Sequence, residues 1–109
     1  MAEYSAPVRD MQFVLEHLCD VRGLATLEPF ADFDPDSLGD LLHEAGRFVG
    51  DVISPTNREG DKVGSLRNAD GSVTTPPGFK QAYRHWVDGG WAAAPFDQDY
   101  GGGGEKAWQ

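Results

Sequence analysis

Residues 34–55 read DPDSLGDLLHEAGRFVGDVISP. Leu38, Leu41, Leu42, Ala45, Phe48, Val49 and Val52 recur at three- and four-residue steps, so a helix gathers all of them on one face. Asp34 is a natural N-cap, because its carboxylate can accept a first-turn N–H, and Pro35 suits the first helical position, where no N–H is needed. Asp36 and Asp40 lie near the positive end of the helix dipole. Pro55 is the expected stop. Gly39, Gly46 and Gly50 each weaken an isolated helix by about 1 kcal/mol, so this helix must draw its stability from packing. The same glycines leave room for another helix to approach closely.

Outward from this element, Met11, Val14, Leu15 and Leu18 form a helical stripe within VRDMQFVLEHLCD, with Asp10 and Glu16 outside it and Gly23 as a stop. On the other side, GSLRNADGSVTT (residues 64–75) centres on Asp70-Gly71, a strong hairpin signal, with Leu66 and Val73 placed to pair across it. TPPGFKQAYRHWVDGG follows. Thr75 is the expected cap, Pro76 the first residue, Phe79, Ala82, Tyr83, Trp86 and Val87 the apolar face, and Gly89-Gly90 the stop. The expectation is an all-α chain of three main helices, Val8–Asp20, Pro35–Ile53 and Pro76–Asp88, with a small loop or hairpin insertion. Leu41, Phe48, Tyr83 and Trp86 are expected at the contact between the second and third.

A chain of 109 residues suits one small domain, here taken as residues 1–109. Its net charge of −9 repels phosphate backbones and anionic lipid, so neither nucleic acid nor membrane is an expected partner. A single Cys19 allows no internal disulfide, and the N-terminal stretch lacks a basic start and an apolar core; both point to the cytoplasm.

No catalytic constellation emerges. In a phosphate loop, glycine is followed by lysine and a hydroxyl residue, whereas Lys106 sits between Glu105 and Ala107. His17, His43 and His85 are isolated, so no metal site is expected. Cys19, near the end of an apolar helix, reads as a buried, inert thiol. Acidic pairs such as Asp97 and Asp99 carry little information in so acidic a chain.

The order of YSAPVRDMQFVLEHL (4–18), ISPTNREGDKVG (53–64), TPPGFKQAYRHWVDGGW (75–91) and DYGGGG (99–104) nevertheless resembles the amino-terminal part of bacterial acyl-CoA dehydrogenases. The likeness is to their long subfamily, which includes the methylthiopropanoyl-CoA dehydrogenases. It implies an incomplete helical bundle, the amino-terminal helical domain of a flavoenzyme that dehydrogenates acyl-CoA thioesters. FAD and the catalytic glutamate would belong to a sheet domain and a carboxy-terminal bundle without counterpart in these residues. No catalytic, cofactor or metal residue is therefore carried over, and no FAD or activity is expected for this chain alone. The family pattern EYGGQG-Pro is altered here to Asp99, Gly103 and Glu105.

The resemblance makes Tyr100, Gly101 and Gly102 an interdomain loop, expected to be mobile without its sheet domain. The implied partners are the remaining domains of the enzyme, electron-transfer flavoprotein for the full enzyme, and further copies of the chain, drawn together by exposed Trp91, Phe96 and Trp108. The alternative reading is a stand-alone acidic helical protein-interaction module.

Overall fold

The computed structural model describes residues 4–103. It is mostly helical, with one minimal two-stranded sheet. Helix α1 (Val8–Phe13) passes into a π turn over Val14–Leu18 and stops at Asp20, whose φ of 49° is left-handed. Short polar residues such as aspartate tolerate that geometry best after glycine. The Asp20 carboxylate then accepts the Gly23 N–H at 3.2 Å and caps a single turn, α2 (Val21–Leu24). Gly23 therefore lies inside a helical turn, and Asp20 makes the stop expected of Gly23.

Asp34 caps as expected: its carboxylate accepts the Asp36 N–H at 2.9 Å and opens a 3-10 turn, Pro35–Ser37. Helix α3 (Leu38–Phe48) follows, then a π turn over Val49–Ile53, then α4 (Ser54–Val63). The helical path thus runs straight through Pro55. In an α-helical register the proline ring would press on the Asp51 carbonyl and leave it without an N–H. The wider π turn removes that conflict. Ser54 N–H reaches back to the Val49 carbonyl, and Pro55 falls in the first turn of α4, where its missing donor costs little.

After α4 the chain forms the hairpin β1 (Leu66–Arg67) and β2 (Val73–Thr74), antiparallel. Five residues, 68–72, join the two strands, with Gly71 left-handed and its N–H on the Asn68 carbonyl at 3.0 Å. That loop sets the register as Leu66 opposite Thr74 and Arg67 opposite Val73, so Leu66 and Val73 do not pair. The Asp70 carboxylate accepts both the N–H and the hydroxyl of Ser72, which lowers its pKa below the usual carboxylate value. Helix α5 (Phe79–Asp88), capped at Gly78, starts three residues later than the expected Pro76. Pro76 and Pro77 lack the N–H that would let them join the helical ladder except at its very start. Pro76 instead supplies the carbonyl that receives Phe79 N–H, and Thr75 caps nothing.

The core is small. Val8, Val21, Leu38 and Leu42 form one buried cluster, flanked by Ala6, Leu15 and Phe33, where α1 crosses α3. The glycines of α3 make this crossing possible: a Cβ at Gly39 would meet the Gln12 side chain at 2.5 Å, and one at Gly46 the Ala6 Cβ at 2.8 Å. The close approach inferred from those glycines is present. Of the stripe inferred for the first helix, only Leu15 is drawn toward the core, and Val8, outside that stripe, supplies the buried contact. Val8 is buried and Leu15 half-buried, but Met11 and Val14 face solvent and Leu18 is 74 % exposed. Cys19, next in the chain, is exposed rather than buried, because nothing among the described residues covers that side of the helix.

The molecule is a slab of 55 × 36 × 20 Å with a radius of gyration of 17.5 Å. A closed domain of this length has a radius of about 13 Å. Its accessible surface is 8291 Å², against about 6,000 Å² for a compact monomer of this mass. The excess is the uncovered faces of the helices.

Candidate functional site

The most developed concavity is an open cleft of about 770 Å³ between the long helix and α5. Val49 and Ile53 from the π turn, with Ser54, Thr56 and Asn57 from α4, line one side. Phe79, Ala82, Tyr83 and Trp86, spaced along one face of α5, line another, and Tyr4 reaches in from the chain's first described residues. Val49, Ile53, Thr56 and Asn57 stand at i, i+4, i+7 and i+8, the spacing that keeps them on one helical face toward the cleft.

At the Trp86 end, Phe48 stacks in tilted fashion on Trp86 and on Trp91, with ring centroids 6.0 and 5.9 Å apart, and the two tryptophans lie 6.4 Å apart. Of the expected contact residues, Phe48 and Trp86 meet. Tyr83 lines the cleft while 68 % exposed, and Leu41 lies half-buried on α3. At the Phe79 end the helices close up, since a Cβ on Gly60 would meet the Phe79 ring at 2.6 Å.

The cleft contains no charged side chain. Its polar groups are Ser54, Thr56, Asn57 and the tyrosine hydroxyls, and the Thr56 hydroxyl is already engaged with the Ile53 carbonyl at 2.7 Å. Such a lining solvates an apolar chain and holds no carboxylate, histidine or cysteine. Among the described residues no three His, Cys, Asp or Glu side chains converge as metal ligands, and no helix is long and apolar enough to cross a membrane.

The residues singled out as an interdomain loop lie away from the cleft. Tyr100 is 90 % exposed and Gly101 is left-handed at φ 84°. Gly102 N–H bonds the Asp97 carbonyl and Gly103 N–H the Ala93 carbonyl, each at 2.9 Å. A side chain at Gly102 would run into the Phe96 carbonyl. So the close approach that glycine permits here is to the chain's own preceding turn. Of the patch residues, Trp91 is half-buried against Trp86 and Phe96 is exposed; Gly104, Glu105, Lys106 and Trp108 lie outside the described residues. Sequence reading missed Tyr4, Thr56 and Asn57. The available signal was Ser54-Pro55, a pair that starts a helical turn as readily as it ends one.

Fold and site together define a mostly helical domain that presents an apolar cleft and a wide uncovered surface. The chain carries an acyl-CoA dehydrogenase family segment. It is 38 % identical over 101 residues, 93 % of its length, to the 3-methylmercaptopropionyl-CoA dehydrogenase of Ruegeria pomeroyi. It is 28 % identical over 94 residues, 80 % of its length, to the butyryl-CoA dehydrogenase of Syntrophomonas wolfei. The chain spans 17 % and 15 % of those two relatives. No protein-family profile matches it.

Dehydrogenases of this family imply FAD, whose pyrophosphate needs cationic or N–H donors. The cleft supplies no lysine, arginine or histidine, so its lining does not fit that group.

Proposed function

We propose that residues 1–109 are the amino-terminal helical domain of an acyl-CoA dehydrogenase and that they wall the acyl pocket without performing the chemistry. The observation that carries this reading is the open, charge-free apolar cleft on a segment whose sequence follows that family. The reaction assigned to the whole enzyme is α,β-dehydrogenation of an acyl-CoA thioester, with FAD as oxidant and electron-transfer flavoprotein as electron acceptor. In this reading the flavin-binding sheet domain and the carboxy-terminal bundle are supplied from outside these residues. Tyr100, Gly101 and Gly102 form the loop leading toward them, and the uncovered helix faces meet them or further copies of the chain. The setting is cytoplasmic.

The test has two arms. The purified chain should show no flavin spectrum and reduce no electron acceptor with acyl-CoA; a flavin spectrum with turnover would overturn the division of labour. The remaining domains of a related dehydrogenase, added in trans, should form a complex with it that sizing chromatography resolves. A second reading, the stand-alone acidic interaction module, draws on the exposed Met11, Val14 and Leu18 stripe. It gains if no complex forms and the chain runs as a well-behaved monomer.

A further inference from the structure

Residues 4–7 precede α1, yet they run against the long helix. The Tyr4 N–H donates to Ser54 Oγ at 3.4 Å. A Cβ on Gly50 would stand 3.3 Å from the Tyr4 carbonyl oxygen, and one on Gly46 would stand 2.8 Å from the Ala6 Cβ. Gly46 and Gly50, one helical turn apart, therefore form a smooth track on which this segment sits. The track leads to the cleft, where Tyr4 lines the same space as Ile53, Tyr83 and Trp86.

We propose that residues 4–7 are a strap seated on Gly46 and Gly50, and that its Tyr4 ring is a movable wall of the cleft that governs how tightly an apolar chain is held. The proposal rests on the cleft reading given above. The base of the strap is fixed, because Val8 is buried in the core. Among the described residues its far end is held by one long hydrogen bond and by van der Waals contact, and Tyr4 is 44 % exposed. Segments with so few anchors open locally at far smaller free energy than the core. A tyrosine suits such a wall, since its ring presents apolar area to a ligand while its hydroxyl stays in water.

Octanoate serves as the probe, titrated into the chain and followed by tryptophan fluorescence. Tyr4→Ala removes the wall, and Gly50→Val pushes the strap off its seat without replacing any residue that lines the cleft. Each should weaken octanoate binding by about five- to tenfold, the worth of one aromatic contact, whereas Tyr4→Phe should bind as the parent does. If Gly50→Val loses its helical circular dichroism, Ala6→Leu lifts the strap from the other side of the track and should give the same loss. Unchanged affinity in Tyr4→Ala overturns the strap and leaves the cleft reading intact. A loss in Tyr4→Ala without one in either lifting variant overturns the glycine seat. Absence of octanoate binding by the parent chain overturns the cleft reading and the strap with it.

Discussion

The two ends of the long helix are packed in different ways. At its start, Leu38 and Leu42 lock against Val8 and Val21, and Leu38 keeps only 2 % of its surface exposed. Toward its far end Phe48, Trp86 and Trp91 bring much larger rings together, yet all three remain half-buried and Trp86 opens onto the cleft. The smaller side chains are closed in because α1 crosses α3 at the glycines, whereas α5 meets the π turn and α4 along one side only. Apolar surface alone therefore does not make a core. Coverage from two sides does, and the aromatic end has one side missing.

That contrast can be broken most sharply at Leu38. Leu38→Ala should cost about 2–5 kcal/mol, read as a drop in urea midpoint, because the site is enclosed and cannot collapse freely. Phe48→Ala removes a larger side chain but should cost less, about 2 kcal/mol, since its ring is only half-buried and loses two tilted aromatic contacts. A larger loss at Phe48 than at Leu38 would show the aromatic end to be the true core. Gly46→Val tests the crossing itself: the added methyls meet Ala6 and Val8, and overpacking of this kind costs about 1–3 kcal/mol.

Away from both ends the effects should be small. The lowered pKa of Asp70 means that its bonds to Ser72 stabilise the hairpin above the ordinary carboxylate pKa, and that this contribution is lost as pH falls through the folded value. The protection of the Ser72 amide, relative to its intrinsic exchange rate at each pH, should accordingly fall in acid while that of α3 amides does not. Arg22 and Asp36 form an ion pair at 2.9 Å with side chains 59 % and 78 % exposed, so Arg22→Ala should leave the melting temperature unchanged within error.

Much of this was legible in the residues. The seven apolar positions of 34–55, the Asp34 cap, a hairpin around Asp70-Gly71 and a helix over Phe79–Asp88 all act over a few residues, and each appears in the structure. The hairpin register and much of the last helix's apolar face do not follow the expectation. The order of motifs already pointed to the dehydrogenase family. The first misreadings were also local, but depended on competition. Pro55 alone reads as a stop, and only a π turn upstream makes it a start; Gly23 alone reads as a stop, and Asp20 stops the chain first.

Tertiary structure decided the rest: that most of the first helix's stripe is left exposed, that Cys19 is exposed, that Gly102 packs on its own turn, and that Tyr4 and Thr56, fifty-two positions apart, line one cleft. The physical reason is the range of the forces. Caps, turn geometry and helical periodicity are settled between near neighbours and are written directly into the order of residues. Burial belongs to pairs of surfaces, so Met11 and Leu38, alike in hydrophobic character and each on a helical stripe, part company because α1 brings a partner to one and the described chain brings none to the other.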